Sequence, residues 1–262
     1  MVMCKFINSF IIRLSFICLM VAVFGYHARA QVTLKLYNTG VNADGTLMAP
    51  GSVDPHYTLI AEPGFTNVDP SYVTNPPNAL WINTSPTSQW IAPVPNQTVW
   101  YNEYGYQPGF YDYQTTFDLT GLNPNSVVIN GEASGDDGGW YILVNETIIG
   151  NFSGFNSMSQ FSITNQTQSL SPGGPKYVQF NPGMNTIDFI VVNNPNYWNG
   201  NPGGPSPTGL NVQIHGTASL LTPELPSGLL LWIGLIPIGA LSLFRRFSIP
   251  ASLSSKVSSS QK

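Results

Sequence analysis

Apolar residues recur at every second position in several stretches of the chain, with polar residues between them. This period of two places the apolar side chains on one side of a pleated strand. Residues 31–222 contain no stretch with the 3.6-residue period of an amphipathic helix. The pattern therefore predicts strands, and the sets that share a face are Val32, Leu34 and Leu36; Tyr113, Thr115, Phe117 and Leu119; Trp140, Ile142 and Val144; Ile187, Phe189 and Val191; and Leu210, Val212 and Ile214.

Clusters of Gly, Pro, Asn and Ser separate these strands and supply residues suited to turns. Examples lie at residues 75–78, 123–126, 171–175 and 195–207. Short strands with regular turns between them predict an all-β fold, an antiparallel β-sandwich or jelly roll. Residues 63–108 are rich in Pro, Asn and aromatic residues, and we expect long loops there.

A different pattern follows this region. Pro223 and Glu224 precede twenty uncharged residues, 225–244, which are followed by Arg245 and Arg246. A helix of this length spans roughly 30 Å, the hydrocarbon thickness of a bilayer. Because arginines next to an apolar run stay on the cytoplasmic side, the preceding chain would be held outside. We predict one transmembrane helix at 225–244, followed by a disordered cytoplasmic tail at 247–262.

The other end of the sequence predicts export as well. Lys5 and Arg13 give a positive start, residues 16–24 are apolar, and Ala28 and Ala30 form a small-x-small cleavage site before Gln31. This arrangement is typical of a secretory signal peptide at 1–30, the alternative being an uncleaved anchor. Residues 31–222 then form one extracytoplasmic domain, by length.

The charge of that domain limits its partners. Lys35 and Lys176 are its cationic side chains against twelve acidic ones, which gives a formal charge of −10 where the whole chain has −4. Such a surface repels phosphate backbones and argues against nucleic-acid binding, whereas neutral sugars and divalent cations remain compatible. Both cysteines, Cys4 and Cys18, lie in the predicted signal peptide, so the domain has no thiol chemistry.

The segment from Pro223 to Arg246 resembles the PEP-CTERM sorting signal, a Pro-Glu-Pro motif with a transmembrane helix and a basic tail. The resemblance implies processing by an exosortase and delivery to the cell surface or extracellular matrix. Leu225 stands where the second proline of the motif would be, and sixteen residues follow Arg246. Both departures bear on processing more than on topology, and a plain single-pass anchor is the alternative.

The domain itself resembles galactose-binding-like β-sandwiches in two places. One is residues 128–150, with the sequence VINGEASGDDGGWYILVNETIIG, and the other is residues 207–218, with the sequence PTGLNVQIHGTA. An Asp-Asp-Gly loop before an apolar strand also occurs in calcium-dependent sugar-binding sandwiches of the anthrax-protective-antigen type. The resemblance implies a sugar-binding β-sandwich and leaves the superfamily open.

Asp136 and Asp137 are the candidate metal ligands. Adjacent carboxylates repel one another, and calcium prefers six to eight carboxylate and carbonyl oxygens. Asn130, Glu132 and Asn145 lie nearby in the sequence and would contribute. The sequence thus gives a candidate calcium site, with a solvated turn as the alternative.

Aromatic residues are the candidate sugar ligands, because flat rings stack on the apolar face of a pyranose. Those selected as ligand-binding are Trp100, Tyr104, Tyr197 and Trp198, and they belong to a wider set that includes Trp81, Trp90, Tyr101, Tyr106, Phe110, Tyr111 and Tyr113. The alternative is that these rings belong to the core. For Phe117 and Trp140, on alternating faces, we expect burial.

No catalytic residues are predicted. His27 falls in the signal peptide, His56 has no partner at metal spacing, and His215 should point to solvent. Nucleophile-elbow, metalloprotease and phosphate-loop motifs are absent from the sequence. We therefore predict a non-enzymatic carbohydrate-binding or polysaccharide-associated surface protein; the alternatives are a ligand-free structural spacer and, ranked last, a polysaccharide hydrolase.

Overall fold

The computed structural model describes residues 30–64, 68–75, 77–96, 107–195, 197–198, 201–202 and 206–221, with 197–198 and 201–202 described by backbone alone. These residues form strands and one short 3-10 helix, Pro124–Ser126. The strands are β1 (Gln31–Thr33), β2 (Val53–Ala61), β3 (Asp69–Val73), β4 (Ile91–Ala92), β5 (Gly109–Asp118), β6 (Val128–Asp136), β7 (Gly138–Val144), β8 (Thr147–Phe152), β9 (Ser159–Thr164), β10 (Met184–Asn193), β11 (Tyr197–Trp198), β12 (Asn201–Pro202) and β13 (Gly209–Ser219).

One continuous ladder joins most of these strands. Its order is β8-β7-β10-β5-β2-β3-β4-β13-β6-β9, and β1 pairs with β13. Each pairing between the named strands is antiparallel. Strands β11 and β12 form a separate hairpin. The all-β class predicted from the sequence is confirmed.

Two parts of the ladder face one another across a core. We call β8-β7-β10-β5-β2 the β10 layer and β13-β6-β9 the β13 layer. The ring centroids of Phe161 in β9 and Phe189 in β10 lie 5.9 Å apart. A Cβ atom added to Gly135 in β6 would lie 3.1 Å from Val191 in β10. The sheet is therefore sandwich-like, as expected, while the narrower jelly-roll connection stays a prediction.

The core is filled by the residues that alternate along the predicted strands. Tyr57, Tyr113 and Phe189 are among its largest fully buried side chains. The buried sets from the sequence pattern are Tyr113, Phe117 and Leu119; Ile187, Phe189 and Val191; and Leu210, Val212 and Ile214. Burial of such side chains removes apolar surface from water, which is the main favourable contribution to folding.

The first predicted strand is shorter than expected. Strand β1 ends at Thr33, although Leu34 is still buried and its N–H donates to the Gly216 carbonyl at 2.9 Å. The Leu36 N–H then donates back to the Leu34 carbonyl at 2.9 Å. This tight turn interrupts the regular pairing, but the chain stays beside β13, since the Thr39 N–H donates to the Val212 carbonyl at 3.0 Å. Leu36 is only partly buried against the core.

The expectation that Trp140 is buried is wrong. Its side chain is 46% exposed, whereas Ile142 and Val144 of the same strand are buried. Between β10 and β7 the register changes, with Ile190 opposite Tyr141 and Val191 opposite Gly139, so Trp140 is the extra residue of a β-bulge. A bulge reverses the inside–outside order, which turns this side chain to solvent.

Several predictions concern residues beyond those described. The chain divides into two compact units, Met1–Leu221 and Thr222–Lys262, and the described residues all belong to the first. The predicted signal peptide, the helix at 225–244, the tail, and Pro223, Glu224, Arg245 and Arg246 lie outside them. Within the described ranges, no helix has the length and apolarity needed to cross a membrane.

Candidate functional site

Two large aromatic side chains lie together on the solvent side of the β10 layer. Phe110, near the start of β5, is 51% exposed, and Trp140, the bulge residue of β7, is 46% exposed. Their ring centroids lie 5.4 Å apart at an interplanar angle of 55°. Tyr141 extends the cluster, with its ring 5.5 Å from that of Trp140. We call Phe110, Trp140 and Tyr141 the aromatic face.

Strand β10 holds the two halves of this face together. Val192 of β10 pairs with Phe110 on one side and with Gly138 on the other, so β5 and β7 flank it. Without the bulge, Trp140 would share the inward side of Ile142. The inward position is taken instead by Phe152 of β8, because a Cβ atom at Gly139 would lie 2.2 Å from its ring. The aromatic face is thus built on paired strands rather than on a loop.

A carboxyl group with an unusual environment lies at the next outward position of β5. The Oδ1 atom of Asp112 is buried and accepts no hydrogen bond from a described residue. Burial, with a smaller contribution from the negative charge of Asp188, raises the pKa of Asp112 to about 7. The group is therefore partly protonated near neutrality, and can both donate and accept a hydrogen bond.

Asp188 is the neighbouring carboxyl group on β10. It is 5% exposed, and its Oδ1 accepts a hydrogen bond from Gln114 Nε2 at 2.8 Å. Burial raises its pKa, and the charge of Glu146 adds to this effect. Asp188 is therefore a partnered group beneath the surface, while Asp112 is half-buried beside the aromatic face.

Sequence reasoning locates this face only in part. Phe110 belongs to the wider aromatic set, but the alternation assigns Trp140 to the core, and Tyr141 is not among the candidates. Trp81 and Trp90, from the same set, are 7% and 4% exposed and lie against each other with centroids 4.3 Å apart. The set also contains two buried rings, Tyr111 and Tyr113. The signal of a bulge that the sequence does carry is the pair of glycines before Trp140.

The four selected ligand-binding aromatics lie outside what can be described at side-chain level. The backbones of Tyr197 and Trp198 form β11, where they pair with Pro202 and Asn201. Trp100 and Tyr104 fall outside the described residues. Their role in sugar binding stays a prediction.

The candidate calcium ligands lie where β6 ends and β7 begins. Asp136 is 3% exposed and its Oδ2 accepts a hydrogen bond from Trp81 Nε1 at 2.7 Å. Asp137 Oδ2 accepts a hydrogen bond from the Asn194 backbone N–H at 2.7 Å. Burial raises the pKa of Asp136 to about 7, and the neighbouring Asp137 adds to the increase. Each carboxylate therefore has a protein partner on one oxygen.

The other suggested calcium ligands do not lie beside this pair. Asn145 is at the far end of β7, where its amide donates to Asn185 Oδ1 at 2.8 Å. Asn130 and Glu132 are earlier in β6. Among the described residues, no group of three or more Asp, Glu, His or Cys side chains is arranged to hold a metal. Calcium binding at Asp136 and Asp137 stays an untested prediction.

The histidines have unrelated environments. His215 is exposed on β13, in agreement with the alternation. His56 stacks on Tyr37, with ring centroids 3.7 Å apart, and burial lowers its pKa. This contact gives His56 a packing role at the start of β2.

Comparisons with known proteins give one loose structural likeness. No protein-family model matches the chain, and no curated protein matches it. Among solved structures, the CBM36-1 domain of a multidomain xylanase from the hindgut metagenome of Trinervitermes trinervoides is similar, with a TM-score of 0.26 and 12% sequence identity. The match covers 57% of this chain and 93% of that one. A superposition this loose assigns neither a site nor an activity to the present chain.

Proposed function

We propose that the protein is a non-enzymatic carbohydrate-binding protein that holds a polysaccharide on the aromatic face. The observation that carries this proposal is the exposed pair of Phe110 and Trp140 on paired strands. Exposing two large rings side by side is unfavourable in water, and such patches mark interaction sites. Flat rings suit the apolar face of a sugar, and neighbouring polar groups suit its hydroxyls.

Asp112 supplies the polar group that such a surface needs. It lies one outward position from Phe110 along β5, where the residue is half-buried although its Oδ1 atom is itself buried. A sugar hydroxyl can donate to the ionised carboxylate or accept from the protonated one. The formal charge of −10 over residues 31–222 favours neutral over anionic polysaccharides.

Specific observations distinguish this proposal from its two alternatives, a polysaccharide hydrolase and a ligand-free spacer. A hydrolase acting through a carboxylate pair would need both groups to reach the sugar. Asp188, the acidic neighbour of Asp112 on β10, is buried and bonded to Gln114, which disfavours that role. In a ligand-free spacer the exposed rings would serve no binding function. That alternative predicts that replacing the rings leaves polysaccharide binding unchanged.

Export and surface attachment are also part of the proposal. They are supported by the basic and apolar start of the sequence, and by the Pro223–Arg246 segment that resembles a sorting signal. The protein would reach the inner membrane through the helix at 225–244 and, after exosortase processing, the cell surface or extracellular matrix. Intact mass of the surface-extracted protein distinguishes the outcomes: loss of the chain after about residue 222 supports processing, and retention of Arg245 and Arg246 supports a permanent anchor.

A glycan array with the purified full chain tests the binding proposal. We expect binding to neutral glycans, and we expect Trp140→Ala to lose the part of the signal that the aromatic face contributes. Leu170→Ala is the matched control, because Leu170 is an exposed apolar residue, at 60%, outside the aromatic face. Equal binding by wild type and Trp140→Ala would reject the aromatic face as the site.

A further inference from the structure

The solvent side of the β13 layer carries six polar side chains in two cross-strand rows. In one row Gln213 of β13 is opposite Glu132 of β6, which is opposite Gln160 of β9. In the next row His215 is opposite Asn130, which is opposite Ser162. Because side chains alternate along each strand, all six point away from the core. We call these six residues the polar groove.

The groove has a wall and a floor. Asn38 and Thr87 form the wall: Asn38 Nδ2 donates to the Thr87 carbonyl at 2.9 Å, and Asn38 Oδ1 accepts from the Ile214 N–H at 2.7 Å. Gly131 lies in the floor, where a Cβ atom would come 2.5 Å from the Phe161 ring. The resulting depression has a volume of about 680 Å³, within the usual range for small-ligand sites.

The polar side chains of the groove are left unpaired by the part of the chain that the structure describes. None of the six makes a side-chain hydrogen bond to another described residue, in contrast to the adjacent row of the same strands. There, Asn211 accepts from Ser88 Oγ at 2.8 Å and donates to Thr84 Oγ1 at 2.7 Å. Ser134 Oγ donates to the Gly154 carbonyl at 2.7 Å. One row is thus closed by loops, while two rows remain open to a ligand.

The polar groups that line the groove indicate which class of ligand it would bind. Three amides, one carboxylate, one imidazole and one hydroxyl offer both donors and acceptors, as a sugar hydroxyl requires. No lysine or arginine is found among the described residues that line the groove, which disfavours a phosphate or sulfate partner. The large apolar side chains in the lining are Phe161, which is partly buried, and Ile214, which is buried.

We propose that the polar groove is a second binding site, for a neutral oligosaccharide segment. It lies on the opposite layer from the aromatic face, with the core between them. A short segment of one polymer cannot reach both surfaces, so occupancy of both sites would bridge two polysaccharide chains. The bridging role rests on the proposed function of the aromatic face, whereas binding in the groove does not.

The test compares three forms of the full chain on an array of neutral glycans, with titration of the best-binding oligosaccharide. In Glu132→Ala/Gln213→Ala the groove loses its central row, and in Trp140→Ala the aromatic face loses its main ring. We expect each variant to weaken binding at the altered site at least about tenfold, where about 1.4 kcal/mol corresponds to a factor of ten. The other site should keep its affinity, so the stoichiometry should fall from two oligosaccharides to one. Gln166→Ala, an exposed amide outside the groove, should bind like wild type. Circular dichroism identifies any variant that fails to fold, and Glu132→Gln then replaces it in the groove.

The outcomes separate the two proposals. If the groove variants match wild type while Trp140→Ala loses binding, the second site is rejected and the aromatic face stands. If Trp140→Ala matches wild type and the groove variant loses binding, the groove stands alone and bridging is rejected. If the full chain binds no neutral glycan, both sites are rejected. Light scattering with a long form of the bound polysaccharide should show aggregates with wild type and none with either variant.

Discussion

Close packing at single glycines fixes the position of the aromatic face. A Cβ atom at Gly139 would lie 2.2 Å from the Phe152 ring, whereas one at Gly138 would lie 3.6 Å from Val192, an ordinary contact. The missing side chain at Gly139 therefore lets Phe152 cover the inward side of the bulge. The sequence alone does not distinguish Gly138 from Gly139, because the difference between them depends on a ring from another strand.

We predict that Gly139→Ala destabilises the protein by about 1–3 kcal/mol, the usual cost of overpacking a core. Gly138→Ala, one residue away, should change stability by less than about 0.5 kcal/mol. Chemical denaturation of both variants measures the difference. Equal stability of the two would show that Phe152 does not occupy the place assigned to it.

Asp112 gives a prediction about pH. Its pKa is raised to about 7 in the folded protein, so between about pH 4 and pH 7 the folded state holds a proton that the unfolded chain has already released. Stability from this group therefore falls as pH rises through that window and is constant above it. Asp112→Asn cannot ionise, so its melting temperature relative to wild type should increase from pH 4 to pH 8, by about 2–4 °C per kcal/mol involved.

Asp44 provides the control with opposite sign. Hydrogen bonds from the Thr46 hydroxyl and backbone N–H lower the pKa of Asp44, so its ionised form favours folding. Asp44→Asn should not gain stability relative to wild type between pH 4 and pH 8. A constant difference between Asp112→Asn and wild type across this range would contradict the burial of the Asp112 carboxyl.

At the scale of elements, alternation identifies the buried faces of β5, β10 and β13 but fails in β7. In the first three strands the register is regular where the apolar residues lie, so a period of two is sufficient to identify the buried positions. In β7 the bulge changes the register between Gly139 and Tyr141. A bulge depends on the partner strand, and therefore a single strand's sequence cannot position it.

The junction of β6 and β7 gives the test of calcium binding. If Asp136 and Asp137 hold calcium, the melting temperature rises with added calcium and falls with a chelator, because a ligand that binds only the folded state stabilises it. Asp137→Asn should lose this response while its side-chain oxygen can still accept from the Asn194 N–H. Asp44→Asn is the control and should keep the response. Identical melting curves of wild type in both buffers would reject the site.

At the scale of the whole molecule, the first and last described strands are neighbours. Gln31 of β1 pairs with Ser219 of β13, and the Leu220 N–H donates to the Ala30 carbonyl at 3.3 Å. The described chain therefore enters and leaves the sheet at one end. This pairing could not be predicted from alternation, because two strands so distant along the chain are joined only by the fold.

The two proposed binding surfaces are also formed only at this scale. Asn130, Glu132, Gln213 and His215 appear in the sequence as ordinary polar positions of two strands. The register of β13, β6 and β9 brings them into adjacent rows. Composition and charge are compatible with neutral sugars and with divalent cations, whereas the surfaces that would bind a sugar depend on strand pairing.

Isothermal titration of the full chain with the oligosaccharide that binds best on the array tests the central claim most directly. Wild type, Phe110→Ala/Trp140→Ala and the control Leu170→Ala would be compared in one buffer. We predict that the double variant loses affinity at the aromatic face by a factor between about five and about a hundred, since each of the two aromatic contacts is worth about 0.5–1.5 kcal/mol. Leu170→Ala should match wild type. Unchanged affinity and stoichiometry in the double variant would contradict the claim that Phe110 and Trp140 form a carbohydrate-binding face.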